Sequence, residues 1–237
     1  ADGNNMPRLK RFLSEVKPGR VPQTLWRYEE VGHTQGAKKT LLKYVQFQHT
    51  ENVLNSVKPV ELLQRVLQLA GEPDDGDIVL DFFSGSATTA HAVLKQNAED
   101  GGNRRFIGVQ IAEPLPKPEP GMASIFEMGQ KRIRNVAKEL RENGVAADLD
   151  LGFRTLKIDT SNMADVYYAP DALDKANLDL FVDNIKPDRT AQDLLFQVML
   201  DWGVDLALPI ERKTIQGKEV FFVDEDALAA CFDAHGG

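Results

Sequence analysis

The chain has 237 residues, of which 42% are hydrophobic and 27% are charged, and its formal net charge is −8. This composition is typical of a globular protein and excludes a disordered, collagen-like or fibrous chain. No apolar run approaches the roughly 18 residues that are needed to span a bilayer. The single cysteine, Cys231, excludes a disulfide framework, so we expect a cytoplasmic protein.

Charge is distributed unevenly along the chain. The first 70 residues are basic in balance, whereas the rest is acidic. A basic segment can contact phosphate groups, and an acidic one avoids them. Ordinary variation of surface charge is an alternative explanation, and charge alone does not decide between the two.

The first part of the chain contains one clear helix. Residues 1–57 lack a regular hydrophobic period and carry several turn signals, so we predict irregular structure there. Apolar residues then recur at helical spacing over residues 58–70. Pro59 suits the first turn of this predicted helix, and Gly71 suits its C-terminal cap.

A strand–helix–strand order follows. Residues 77–83 form a short apolar run of strand length, and small residues from Ser84 onward open an amphipathic helix that extends to residue 97. A second apolar run covers residues 105–111. This order predicts a βαβ unit with two parallel strands, and hence an α/β fold class.

The remaining elements are predicted from the same periodicities. Residues 112–121 contain four prolines and are predicted to form a loop. The pattern further predicts helices over residues 125–141 (or to 143), 171–184 and 190–203, and strands over 153–158, 206–213, 220–223 and 228–232.

The turn after the first strand of the βαβ unit is the best candidate for a ligand site. Gly85 has no side chain to block an approaching ligand, and the following helix directs free N–H groups toward the same place. A phosphate loop would need a Gly-Lys-Ser/Thr sequence and a dinucleotide fingerprint would need three glycines, so both assignments are weak. A helix N-terminus without a ligand remains the alternative.

The sequence of residues 81–93 closely resembles the motif that binds S-adenosyl-L-methionine (AdoMet) in the beta group of DNA amino-methyltransferases. More narrowly, it resembles the methylation (Mod) subunit of type III restriction–modification systems. Five flanking stretches agree with this family in the family order, namely residues 11–16, 26–35, 58–63, 100–107 and 156–162.

The resemblance implies a partial Rossmann-like AdoMet-dependent methyltransferase sheet with a C-terminal α+β appendage. Residues 1–57 would be the end of the target-recognition region and a linker. Residues 58–144 would be the AdoMet-binding part of the methyltransferase domain, and residues 145–237 the C-terminal α+β region. The strand near residues 78–82 would then have an exposed edge with side chains of the buried type.

The resemblance also implies a set of cofactor-binding residues. Lys58 would pair with the AdoMet carboxylate, and Thr88 would either cap the helix or reach the ligand. Gln110 would take the place of the acid that holds the ribose hydroxyls. Glu113 is a substitute for that acid or, equally, a surface charge. The complete implied set is Ser56, Lys58, Asp81, Phe83, Ser84, Gly85, Ser86, Thr88, Gln110 and Glu113.

Two features depart from the family pattern. Ala87 stands where the family usually has glycine, so its methyl group either crowds the ligand or is accommodated. No Asp-Pro-Pro-Tyr or Asn-Pro-Pro-aromatic sequence, which would hold the target base, occurs in the 237 residues. We therefore assign no catalytic residue and no metal ligand, and we expect the C-terminal half of a methyltransferase that is inactive alone.

The implied function of the longer protein is methyl transfer from AdoMet to adenine N6 in double-stranded DNA. Its implied partners are the restriction (Res) subunit and a second copy of the full-length subunit. Two other hypotheses stay open. The chain could be a non-catalytic methyltransferase-like module for subunit or DNA contacts, or an unrelated Rossmann-like nucleotide binder.

Overall fold

The structure is a computed structural model that describes residues 21–71, 73, 76–164 and 184–233. The chain divides into two compact units, Ala1–Gly152 and Phe153–Gly237. Residues on both sides of the predicted boundary at 57/58 lie in the first unit. The division between the two units is at 152/153, whereas the sequence predicted a boundary at 144/145. None of the helices in the described ranges has the length and apolar character that a bilayer span requires.

The first unit contains five α-helices, a short 3₁₀ helix and four strands within its described residues. The helices are α1 (Tyr28–Val31), α2 (Thr34–Tyr44), α3 (Val60–Ala70), α4 (Thr88–Asp100) and α5 (Ile125–Glu142), with the 3₁₀ helix at Thr50–Asn52. The strands are β1 (Ile78–Asp81), β2 (Arg105–Gly108), β3 (Pro114–Glu119) and β4 (Met122–Ser124). The predicted helices over residues 58–70 and 125–141 are confirmed by α3 and α5.

The predicted βαβ unit is present. Strands β1 and β2 pair in parallel, with Leu80 opposite Ile107, and α4 connects them. Val79 and Phe106 project from one face of the sheet onto a core that α3 and α4 share. That core is formed by Val60, Leu67, Ala92 and Val93. Helices α3 and α4 therefore cover one face of the two-stranded sheet.

The opposite face of this sheet is apolar and exposed. Alternate residues along β1 and directly after it carry apolar side chains on this face. They are Ile78, Leu80 and Phe82, which are 54%, 50% and 63% exposed. Ile107 and Ile111 continue the face on the β2 side and are 50% and 77% exposed. Parallel strands usually carry apolar residues on both faces because elements cover both. We call this surface the exposed sheet face.

The prediction of irregular structure over residues 1–57 was wrong for α1 and α2. Helix α2 begins after His33, whose Nδ1 accepts a hydrogen bond from the Gly36 N–H at 3.2 Å. Ala37 and Leu41 lie one turn apart and are buried against Val45 and Met128. The buried stripe is narrow, and the apolar residue Leu42 lies outside it at 45% exposure, so the periodicity of the segment was too weak to predict a helix.

The prediction of a loop over residues 112–121 was also wrong. Strand β3 pairs antiparallel with β4, although the register is irregular between Pro114 and Glu119. Prolines at alternate positions remove N–H groups from one edge of a strand only. The other edge keeps its donors, and the Lys117 N–H donates to Asn52 Oδ1 at 2.9 Å. This contact joins the hairpin to the 3₁₀ helix.

The second unit contains one helix and one sheet in its described residues. Helix α6 (Ala191–Asp201) packs on an antiparallel sheet of β5 (Ile210–Ile215), β6 (Lys218–Val223) and β7 (Leu228–Ala230), in the order β5-β6-β7. The side chains that form this core are Leu195, Met199, Phe221, Val223 and Leu228. The predicted helix over residues 190–203 and the predicted three-stranded tail are confirmed.

The predicted strand over residues 153–158 is wrong, because these residues have no regular secondary structure. Ile158 is 95% exposed and Leu156 is 48% exposed. A strand needs a neighbour that accepts its backbone hydrogen bonds, and the described part of the unit places no strand beside this segment. The helix predicted over residues 171–184 lies, up to residue 183, outside the described residues.

We predict that the exposed sheet face makes the isolated chain self-associate. The paired substitutions Leu80→Glu and Ile107→Lys place opposite charges on cross-strand neighbours, so they should disperse the associated species into monomers. Light scattering coupled to size exclusion measures the change. Leu200→Glu, at a residue 64% exposed in the second unit, is the control and should leave association unchanged. A wild-type chain that is fully folded and monomeric at all concentrations contradicts the prediction.

Candidate functional site

The loop between β1 and α4 is closed by the carboxylate of Asp81. Its Oδ1 accepts a hydrogen bond from the Phe83 N–H at 3.1 Å, and its Oδ2 accepts one from the Thr89 hydroxyl at 2.5 Å. The Ser84 N–H donates to the Val109 carbonyl at 3.1 Å. The last residue of β1 is therefore tied to the first turn of α4, and the loop is also tied to the chain after β2.

Gln110 and Gly85, two residues of the predicted site, are in direct contact. The Gly85 N–H donates to Gln110 Oε1 at 2.7 Å, and Gln110 Nε2 donates to the Ile111 carbonyl at 3.0 Å. Gly85 has φ +51°, which favours glycine. Among the described residues, a Cβ added at Gly85 would meet only the Phe83 carbonyl, at 3.9 Å, so they leave this side of the turn open.

Ala87 adopts a left-handed backbone conformation, with φ 58° and ψ 41°. Such a conformation costs an alanine about 1–2 kcal/mol, a cost that glycine would not carry. The methyl group is nevertheless buried, at 4% exposure. It faces Gly129 of α5, where an added Cβ would lie 3.2 Å from the Ala87 Cβ. The protein interior, rather than the open side of the turn, accommodates this methyl group.

The hydroxyls of Ser86 and Thr88 are directed into the protein. Both residues are buried, and Arg132 Nη1 donates to Ser86 Oγ at 3.1 Å and to Thr88 Oγ1 at 2.8 Å. Thr88 is the first residue of α4, whereas Ala87 occupies the N-cap position without a side-chain cap. The alternative that Thr88 caps the helix was therefore wrong, because its hydroxyl is used by Arg132.

Arg132 is fully buried in α5, at 0% exposure, and sequence reasoning missed it. Its Nε donates to Nδ1 of His91 at 3.2 Å. Burial, followed by the charge of Arg132, lowers the pKa of His91 to about 3, so His91 is neutral at physiological pH. Burial lowers the pKa of Arg132 to about 10, so the guanidinium stays charged. The sequence did contain a signal for its burial. Arg132 is four residues from both Met128 and Val136, so it lies on the same buried face of α5.

The other predicted residues lie at the surface. Phe83 is 88% exposed at the tip of the loop, next to Ser84, which is half-buried. Ser56, Lys58 and Glu113 are exposed. Within the described ranges, no hydrogen bond or ion pair joins the side chains of these three residues to the loop. Direct bonds therefore join Asp81 to Phe83 and Gly85 to Gln110, whereas the side chains of Ser56, Lys58 and Glu113 have no such bonds among the described residues.

We predict that Ala87 and Gly129 are energetically coupled. Gly129→Ala alone brings a new methyl group too close to that of Ala87 and should destabilise the protein. In an Ala87→Gly background this conflict is removed, so the higher helix propensity of alanine should stabilise the protein by about 1 kcal/mol. Denaturant unfolding of the four proteins should yield a coupling free energy of about 0.5–3 kcal/mol. Gly144→Ala, after α5, is a control where no atom of the described residues lies within 4 Å of an added Cβ, and it should not couple to Ala87. Additive effects of Ala87→Gly and Gly129→Ala contradict the contact.

Comparison with known proteins identifies relatives of this chain. Residues 4–115 match the family model described as DNA methylase. The Mod subunit of the type III restriction–modification enzyme StyLTI, from Salmonella typhimurium, is 34% identical over 163 residues, which are 67% of this chain and 24% of the relative. The Mod subunit of EcoPI, from Escherichia phage P1, is 33% identical over 142 residues, 58% of this chain and 21% of the relative.

A relative that is named as a type II methyltransferase also matches. The type II methyltransferase M.KpnI of Klebsiella pneumoniae is 30% identical over 126 residues, which are 53% of this chain and 28% of the relative. The chain spans about a quarter of the length of these relatives. These matches support the family expected from the sequence: residues 4–115 match the DNA methylase family model, and the chain is similar to the Mod subunits of type III restriction–modification enzymes.

Proposed function

We propose that this chain is the AdoMet-binding, C-terminal portion of a Mod-type DNA methyltransferase that transfers a methyl group to adenine N6. The observation that carries the proposal is the turn at Gly85, which is open on one side and held by Gln110 through a bond of 2.7 Å. The names of the relatives, Mod subunits and a methyltransferase, agree with this assignment.

The residues around the turn suit the chemical groups of AdoMet. Phe83 presents an exposed ring to which an adenine can pack, and Gly85 lets a ligand approach the backbone closely. Gln110 uses one lone pair and one N–H within the protein, so its amide retains a lone pair and an N–H for hydroxyl groups of a ribose. When bound, AdoMet supplies an electrophilic methyl group.

The two charged ends of the proposed site have separate roles. We propose that Lys58, which is exposed, pairs with the carboxylate of the methionine part, with Ser56 beside it in the chain. Glu113 is also exposed and is the candidate that supplements Gln110.

Ser86 and Thr88 contribute through the shape of the loop, because Arg132 uses their hydroxyls. Asp81 keeps the loop attached to α4 through its two bonds.

We propose that β1 and β2 are two strands of a Rossmann-like methyltransferase sheet. Their parallel pairing through α4 supports this, as does the exposed sheet face, which further elements of a longer protein would cover. The groups that hold a flipped adenine would belong to that longer protein. The longer protein would act on double-stranded DNA in the cytoplasm. Its partners would be a second copy of itself, in a homodimer, and a restriction (Res) subunit.

The exposed sheet face favours a second candidate function. A module that has lost catalysis could keep this surface for contacts with another subunit or with DNA. The two functions differ in their need for AdoMet, because a contact module has no use for the open side of the Gly85 turn. Binding of the methyl donor therefore discriminates between them.

We predict that the chain binds AdoMet but not NAD, and that Gly85→Val weakens AdoMet binding at least tenfold. Valine at φ +51° strains the turn, and its side chain occupies the side from which the ligand approaches. Isothermal titration calorimetry measures both affinities. The matched control is Gly101→Val at the other end of α4, where φ is +71° and no atom lies within 4 Å of an added Cβ. Unchanged AdoMet affinity in Gly85→Val contradicts the site, and preference for NAD favours an unrelated nucleotide binder.

We predict that the longer protein methylates adenine in duplex DNA and that the isolated chain does not. Methyl transfer depends on positioning the target amine against the donor, and the 237 residues contain no Asp-Pro-Pro-aromatic motif to do so. Transfer of a radiolabelled methyl group from AdoMet to a duplex library measures the activity. Incorporation by the isolated chain would show that other residues hold the base.

A further inference from the structure

We infer that Arg132 is a positioning residue that holds the Gly85 turn in its ligand-binding conformation. This inference rests on the proposed function, in which that turn binds AdoMet. One nitrogen of the guanidinium, Nη1, donates to three acceptors: the Ser86 carbonyl at 3.2 Å, Ser86 Oγ at 3.1 Å and Thr88 Oγ1 at 2.8 Å. All three acceptors belong to the end of the loop.

These bonds enclose the strained residue of the loop. Ala87 has a left-handed backbone, and its neighbours on either side, Ser86 and Thr88, are the two residues that Arg132 binds. Strained conformations persist only where the surroundings over-determine them. Gln110 holds Gly85 from the chain after β2, while Arg132 holds the following residues from α5. The turn is thus fixed from two independent elements.

Packing alone gives no reason for a cation at this position. Arg132 has no exposed surface, and no carboxylate hydrogen-bonds to it within the described residues. Replacing buried charges by apolar side chains of similar volume is often neutral or stabilising. The guanidinium, in contrast, binds a carbonyl and two hydroxyls through Nη1 and the His91 ring through Nε, which an apolar side chain cannot do.

The orientation of the guanidinium is set from its other side by His91. Nε donates to His91 Nδ1, so the imidazole acts as an acceptor and carries its proton on Nε2. Nη2 is buried without a hydrogen-bond partner among the described residues. An unsatisfied buried donor calls for an explanation. Here Nε and Nη1 are both engaged with His91 and with the end of the loop, so the side chain is held in place although Nη2 has no acceptor among the described residues.

The test compares Arg132→Met, Thr88→Val and the double variant in this chain, with Arg134→Met as the control on the same helix. Arg134 is exposed and belongs to no part of the proposed site. Arg132→Met should weaken AdoMet binding at least tenfold in calorimetry while the far-ultraviolet circular dichroism stays the same. Thr88→Val should weaken binding in the wild-type background and add nothing in the Arg132→Met background. Arg134→Met should bind as the wild type.

A second measurement separates this inference from the proposed function. Hydrogen exchange of the ligand-free chain should show faster exchange over residues 84–89 in Arg132→Met, whichever ligand the turn binds. Unchanged exchange there, or unchanged AdoMet affinity in a binding-competent chain, overturns the role of Arg132. If Arg132→Met does not fold, Thr88→Val decides: wild-type exchange in that folded variant overturns the inference. Failure of the wild type to bind AdoMet overturns the proposed function alone.

Discussion

The left-handed backbone at Gly85 and Ala87 is the constraint on which the arrangement of the first unit depends. Such a loop is stable only if neighbouring elements hold it. The amide of Gln110 supplies this support from the chain after β2, and the guanidinium of Arg132 supplies it from α5. Gly129 completes the support because its missing side chain leaves room for the Ala87 methyl group. The packing of α5 against α4 is therefore tied to the shape of the loop.

The two faces of the β1–β2 sheet differ in how they are covered. One face is packed by α3 and α4, whereas the other leaves Leu80 and Ile107 half exposed. Apolar residues on both faces are the pattern of a strand in the interior of a parallel sheet.

Local patterns were sufficient to predict many of the elements. The helices α3, α5 and α6, the parallel pair β1–β2 and the three-stranded tail follow from apolar residues at a period of 3.6 or 2, bounded by glycine and proline. The wrong predictions share one cause. Helix α2, strand β3 and residues 153–158 depend on what they pack against, and a pattern within one segment carries no information about its partner.

For the candidate site, the sequence by itself determined the turn at Gly85, the place of Gln110 after the second strand, and the resemblance to a family. These follow from short-range order and from the similarity of residues 81–93 to a known motif. Only the tertiary structure decided that Ser86 and Thr88 are directed toward Arg132 and that the Ala87 methyl group lies against Gly129. More than 40 residues of sequence separate the partners in each pair. Their contact exists because α5 packs on α4, and this packing is a property of the folded unit that no local pattern contains.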